Sequence, residues 1–329
     1  MRINKLYLEA ALKKLSDIRY RNKQLEEQRH SEIINKIPEY EILEKTLAQT
    51  MTDIVNSMLD KTPTANDKLN AATEKNQETQ KRINELLVTN GYPIDYLDPI
   101  FSCRKCKDTG NTGNEWCECL CRITNEMAAA ELNEKAPLKK SRFDNFDLSL
   151  YNNKANGDDN ISPQAIMRDN LEYCKKFANN FNGKGKGILM IGNTGLGKTH
   201  LSLSIANELI EKGFCVVYGS VPELIRMIQN EQYNKSEGDT LSLVTNSDLL
   251  IMDDLGAENR TDWCLSMLYE IINTRQNRQL PIIINTNLDI DEIKEKYQDR
   301  LSSRMFCMKI LFFTGSDNRV EFSENFGNM

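Results

Sequence analysis

Eight consecutive residues, Gly192-Asn193-Thr194-Gly195-Leu196-Gly197-Lys198-Thr199, constrain this chain more than any other stretch of it. They fit the pattern G-x-x-x-x-G-K-[ST]. In that pattern glycines let successive backbone N–H groups turn toward a phosphate, and the helix that follows adds the positive end of its dipole. Lys198 then reaches the β- and γ-phosphates of a nucleotide such as ATP, and the Thr199 hydroxyl ligates Mg²⁺. Such a loop sits between a buried strand and a helix, and the flanks agree: residues 187–191 read as a strand and 200–209 as a helix. A strand of this kind needs parallel neighbours. Short apolar runs supply them, so that strands are expected at Ile188–Ile191, 214–218, 249–252, 281–285 and 308–313, alternating with helices. Strands covered on both faces read as continuous apolar runs, and the expected class is α/β, a parallel sheet with helices on both sides.

A nucleotide-bound Mg²⁺ also needs an acid at the end of a neighbouring strand. Asp253 and Asp254 follow four apolar residues there. Asp253 is placed to orient the metal shell, and Asp254, projecting the other way as adjacent strand residues do, to polarise the attacking water. The run 281–287 ends in Asn285, Thr286 and Asn287, amides suited to holding that water or the γ-phosphate. Arg300 and Arg304 then fall at i and i+4 on one helical face. They are either a solvated pair or, in an ATPase without an arginine in its own loop, the source of a finger inserted into a neighbouring subunit's site.

The 42 basic and 48 acidic residues leave a net charge of -6, which excludes a histone-like protein that coats duplex DNA through surplus lysine and arginine. A mean hydropathy of -0.55 with 40% hydrophobic residues is ordinary for a globular chain. No run approaches the length of a membrane span, and Glu9, Lys13 and Lys14 stand where a signal peptide needs apolar residues, so a cytoplasmic protein is expected. Residues 1–90 carry apolar positions at helical spacing, among them Leu8, Leu12, Leu15, Ile33 and Ile37. They read as two or three helices broken near Pro38 and near Pro63, with Gly91 capping the last. Such helices form either a solvated hairpin or a partner-binding module.

Residues 101–122 are rich in turn formers that build no core, yet they hold Cys103-x2-Cys106, Cys117-x-Cys119 and Cys121. Four thiolates around a tetrahedral Zn²⁺ supply the missing folding energy. Cys103, Cys106, Cys117 and Cys119 are the expected ligands, Cys121 lying too far along to close the same knuckle without distortion; unligated reduced thiols are the alternative. A helix is expected over 123–134, a polar linker over 152–162, and a further helix capped by Ser162 with Pro163 in its first turn.

The run from Gly192 to Leu201, the strand ending Asp253-Asp254-Leu255-Gly256, the pair Thr286-Asn287 and the Arg300-x3-Arg304 helix occur in this order. Over about residues 143–322 the chain resembles the DnaC/DnaI replicative helicase loaders, AAA+ ATPases of the initiator clade, whose core the IstB-type transposition ATPases share. The resemblance implies an AAA+ P-loop core without a full C-terminal lid, in segments 1–95 (helical, helicase-binding), 96–140 (zinc knuckle and connecting helix) and 141–329 (ATPase). It further implies hydrolysis of ATP coupled to helicase loading, with Asn287 as sensor 1, Arg304 as arginine finger, Arg319 as sensor 2 and His200 as part of a signature. His200 reads equally as a helix-packing residue, and Phe143 and Phe146 either lie near adenine or are core aromatics. The implied partners are a hexameric DnaB-type helicase, single-stranded DNA and further copies of the chain when ATP is bound; the helix 221–233 with Arg226 and Tyr233 is our expected track for the DNA. The rivals are a transposition-helper ATPase acting on duplex DNA and an ATP-binding adaptor with negligible turnover.

Overall fold

Apolar spacing in the first ninety residues becomes three helices, α1 (Leu8–Lys36), α2 (Pro38–Leu59) and α3 (Ala65–Thr89). The computed structural model describes residues 5–59, 62, 64–134, 136, 138, 141–154, 161–233 and 238–315. Pro38 opens α2, where the N–H it lacks would have no helical partner anyway. Gly91, at φ +82°, turns the chain after α3 so that the Tyr92 N–H bonds the Leu87 carbonyl at 2.9 Å. The three helices bury Ile33, Ile37, Tyr40, Ile83 and Leu87 against one another. Beside this core the Glu32 carboxylate accepts bonds from Lys36, Tyr92 and Tyr96 at 2.7–2.8 Å, which hold it down at about 2.

Contacts divide the chain into one unit of Leu12–Cys117 and a second of Met1–Ala11 with Glu118–Met329. Helices and most of the cysteine segment, expected as separate segments 1–95 and 96–140, thus share one unit. Within it the 92–108 segment is tied to α1, Glu26 accepting from the Ile100 N–H at 2.6 Å and Arg29 donating to the Tyr96 carbonyl at 3.2 Å. The connecting helix α4 (Glu118–Asn133) belongs instead to the second unit, and it starts five residues earlier than 123. Its first turn holds Cys119 and Cys121, whose thiols disguise the helical pattern.

The second unit is built on a five-stranded parallel sheet of β1 (Ile188–Ile191), β2 (Val216–Ser220), β3 (Leu249–Leu255), β4 (Ile282–Thr286) and β5 (Lys309–Phe312), in the order β2-β3-β4-β1-β5. Around it lie α5 (Pro163–Asn179), α6 (Lys198–Glu211), α7 (Val221–Gln232), α8 (Thr240–Asn246), α9 (Asp262–Asn277) and α10 (Ile290–Phe306). Alternate residues of one strand serve opposite faces: Leu250 and Met252 enter one core, Leu249 and Ile251 the other. Both faces are covered, and the loop 192–199 leaves the inner strand β1, which is the parallel α/β arrangement expected. β2 begins two residues later than 214, and β3 continues past 252 to Leu255. Ser162 caps α5, its hydroxyl accepting the Ala165 N–H at 3.2 Å.

Arg275 of α9 is fully buried and donates to the Val244 and Pro281 carbonyls at 2.7 and 2.8 Å and to the Ser247 hydroxyl at 3.1 Å. It thereby ties the end of α8 to the start of β4, and so supports the strands whose far ends carry the acids and amides. Among the described residues β5 is the last element; Arg319 lies outside the described residues.

Candidate functional site

The loop after β1 requires its glycines. Gly197 stands at φ +85° at the start of α6, and a Cβ there would lie 2.8 Å from Phe146 Cε2 and 2.9 Å from the Tyr151 hydroxyl. Tyr151 in turn donates to the Leu196 carbonyl at 3.1 Å. Its ring stacks on Phe146 with centroids 5.8 Å apart, and His200 meets Phe146 edge-on at 5.4 Å while its Nε2 lies 3.0 Å from the Arg142 carbonyl. His200 is therefore held by packing and by one backbone bond, with part of its surface on a cavity. That cavity, of about 990 Å³, lies between Phe146, Tyr151, the loop from Thr194 to Thr199, Asp254 and Asn287. Of the two expected aromatics, Phe146 lines it, whereas Phe143 packs against the core beside α5 and α6.

Lys198, 7% exposed, donates to the carbonyls of Gly192 and Asn193 at 2.5 and 2.6 Å and to Asn287 Oδ1 at 2.7 Å. The structure thus joins the loop lysine to the second amide of the β4 end. Asn285 does something else: its Nδ2 donates to Asp253 and to Ser202, both at 2.9 Å, and its Oδ1 is buried without a hydrogen-bond partner. The two amides differ in place: Asn285 lies within β4, whereas Asn287, the expected sensor 1, follows the strand's last residue, Thr286.

Asp253 and Asp254 diverge because β3 is bulged. Met252 pairs with Ile284 and Leu255 with Thr286, so two β3 residues face Asn285 alone. Asp254 takes φ +54° and stands exposed on the cavity, while Asp253 is buried. Simple strand alternation, the expected reason, is replaced by this kink. The Thr199 hydroxyl lies 3.0 and 3.2 Å from the two Asp253 oxygens, and the Tyr218 hydroxyl donates to the same carboxylate at 2.7 Å. Burial first, and then the Asp253 charge, raise the Tyr218 phenol far above its usual range, so it remains a donor. A hydroxyl and a carboxylate side by side are the hard oxygen pair that Mg²⁺ takes. Tyr218 and Asn285 were not anticipated as partners of Asp253, since nothing in their own segments marks them.

Arg300 and Arg304 do share one face of α10. Their guanidinium carbons stand 5.2 and 4.9 Å from the centroid of the Tyr269 ring. Neither lines the cavity of its own chain. A kink at Gln298, φ +57°, precedes them within α10.

The Sγ atoms of Cys103, Cys106, Cys117 and Cys119 all lie within 4.8 Å of one another, with Cys103 and Cys117 at 3.8 Å. Sulfurs at about 2.3 Å from a tetrahedral Zn²⁺ are about 3.8 Å apart, so the donor set fits that ion. Cys121 is buried on α4 and is not one of the four. The Gly110 N–H points to Cys106 Sγ at 3.3 Å. Buried Asp108 accepts the Ser102 and Cys103 N–H groups at 2.9 and 2.6 Å and the Asn22 amide at 3.0 Å, which orients the first ligand.

Among the described residues no helix is long and apolar enough to cross a membrane. Residues 172–310 match the family described as IstB-like ATP binding protein. The chain is similar to the replicative helicase loader DnaI of Bacillus subtilis (strain 168), 32% identical over 134 residues that cover 40% of this chain and 42% of that protein. It is also similar to the replicative helicase loader DnaC of Escherichia coli (strain K12), 26% identical over 137 residues, 41% of this chain and 56% of that one. The matches therefore span about half the length of these relatives. A crystal structure of the DnaC helicase loader aligns with a TM-score of 0.44 and 26% identity over 52% of this chain and 98% of that chain. The matched stretch 172–310 lies within the sheet unit, and the two relatives named above are replicative helicase loaders.

Proposed function

We propose that this chain is an ATP-dependent loader of a hexameric, DnaB-type replicative helicase. The observation that supports it most is the joined nucleotide site, Lys198 bonded to Asn287 and Thr199 to Asp253, in a chain similar to the helicase loaders. In this reading Lys198 and the loop N–H groups hold the β- and γ-phosphates, and Thr199 and Asp253 would hold Mg²⁺, which neutralises charge on the phosphate oxygens when bound. Asp254 takes the proton of the attacking water as its oxygen bonds to the γ-phosphorus and the bond to the ADP oxygen breaks. Asn287 orients that water, and Arg304 of the adjacent subunit meets the charge that develops in the transition state. Residues 1–95 grip the helicase, and Cys103, Cys106, Cys117 and Cys119 would hold Zn²⁺, which supplies folding energy to that segment when bound. Single-stranded DNA lies along α7, where Arg226 and Tyr233 are exposed.

Co-purification of the full chain with a DnaB-type hexamer in the presence of ATP tests the reading. Capture of the hexamer, with turnover falling at least about a hundredfold in Asp254→Asn while ATP still binds, is the expected result. The family match over 172–310 favours a second reading, a transposition-helper ATPase on duplex DNA. ATP-dependent filaments on duplex DNA without helicase capture would establish it instead. Unchanged turnover in Asp254→Asn would point to an adaptor.

A further inference from the structure

Tyr269 of α9 supports the arginine pair of α10. Arg304 Nη2 donates to the Tyr269 hydroxyl at 2.9 Å, and both guanidinium groups stand within 5.2 Å of the ring centroid. The backbone is fastened at the same place, Gln276 of α9 donating to the Arg304 carbonyl at 2.7 Å. Arg304 is only half-exposed, and its Nε is buried with no hydrogen-bond partner. A solvated surface arginine keeps its rotamer freedom and its water; this one is ordered on an aromatic platform at the cost of a bare N–H. The bond from Arg304 also lowers the Tyr269 phenol from its ordinary value, as a cation beside it must.

We propose that Tyr269 is the positioning residue of the arginine finger: its hydroxyl and ring preset the Arg304 guanidinium, so that a neighbouring subunit's nucleotide meets a cation already in place. The inference rests on the reading of Arg304 as a finger acting in trans. A charge-assisted bond that preorders a transition-state group acts on kcat, and an interaction absent from the same chain's cavity leaves ATP binding alone.

Steady-state ATP hydrolysis by the full chain tests it, with Tyr269→Phe, Tyr269→Ala, Arg304→Ala and the double variant Tyr269→Phe/Arg304→Ala. Tyr269→Phe should lower kcat about fivefold with KM and Tm unchanged, and Tyr269→Ala should lower it further. The double variant should be no slower than Arg304→Ala. Mixing Tyr269→Phe subunits with Asp254→Asn subunits, whose own site is dead but whose finger is intact, should restore turnover at the Tyr269→Phe sites. Wild-type kcat in Tyr269→Phe beside an inactive Arg304→Ala overturns the inference and leaves the finger standing. Wild-type kcat in Arg304→Ala removes the finger reading and this inference with it. A faster Tyr269→Phe enzyme, an equal loss in the Arg304→Ala background, or no recovery on mixing also overturns it.

Discussion

Replacing Arg275 by methionine keeps the apolar stem and removes the guanidinium from a site that is 0% exposed. Two effects compete. The cation is buried with no acidic partner within hydrogen-bond reach among the groups it bonds, all of which are neutral, so its removal relieves a desolvation cost. Against this, the Val244 carbonyl loses a 2.7 Å bond, and the Pro281 carbonyl loses one of 2.8 Å and falls back on the Leu250 N–H at 3.4 Å. Each buried carbonyl left unsatisfied costs about 1–3 kcal/mol, and the missing guanidinium leaves a void that adds to it. The losses outweigh the relief, for a net destabilisation of about 2–4 kcal/mol. In a unit of this size that lowers Tm by about 5–15 °C. Differential scanning calorimetry of the full chain, following the transition that shifts upward with added ATP, measures it. A Tm within about 1 °C of wild type would refute the reasoning, because it would mean that the bonds merely balance the desolvation of the cation.

Gly197→Ala should raise the Kd for ATP at least about tenfold, because its Cβ meets Phe146 and Tyr151 and its φ is +85°; wild-type affinity in a fluorescent-nucleotide titration would contradict the loop geometry. Tyr218→Phe removes one of the donors that orient Asp253, so ATP affinity measured with Mg²⁺ should fall about tenfold while affinity in chelator stays constant, and equal losses in both would assign Tyr218 to folding alone. Elemental analysis should find one zinc ion per chain, absent from the Cys103→Ser/Cys106→Ser double variant, and zinc retained by that variant would overturn the ligand set. Glu32, held at about 2 against an ordinary 4.5 by bonds from Lys36, Tyr92 and Tyr96, stabilises the helical unit fully above pH 4.5 and loses that contribution as pH falls through about 2. Acid unfolding followed by circular dichroism should lose this component in Glu32→Gln, and an identical profile would remove Glu32 from the account.

Contiguous chemistry was readable without coordinates. The eight-residue loop, the apolar strands and the cysteine spacing declare themselves because each is a local requirement: glycine where φ is positive, unbroken apolar side chains where both faces are covered, thiols two or three residues apart where one ion is to be shared. The sequence by itself determined the α/β class, the phosphate loop, the strand-end acids and the four sulfurs that come together. Only the tertiary structure decided how those parts divide their work. A bulge turns Asp253 toward Thr199 and Asp254 toward the cavity, Asn285 inside β4 bonds Asp253 while Asn287 just past the strand's end bonds Lys198, and α4 begins inside the cysteine segment. Tyr218 and Tyr269 act on groups 35 residues away, and Arg275 joins the Val244 carbonyl, 31 residues back, to that of Pro281. Their roles are pairwise and non-local, and a pairwise contact leaves no period or motif in the segment that supplies either partner.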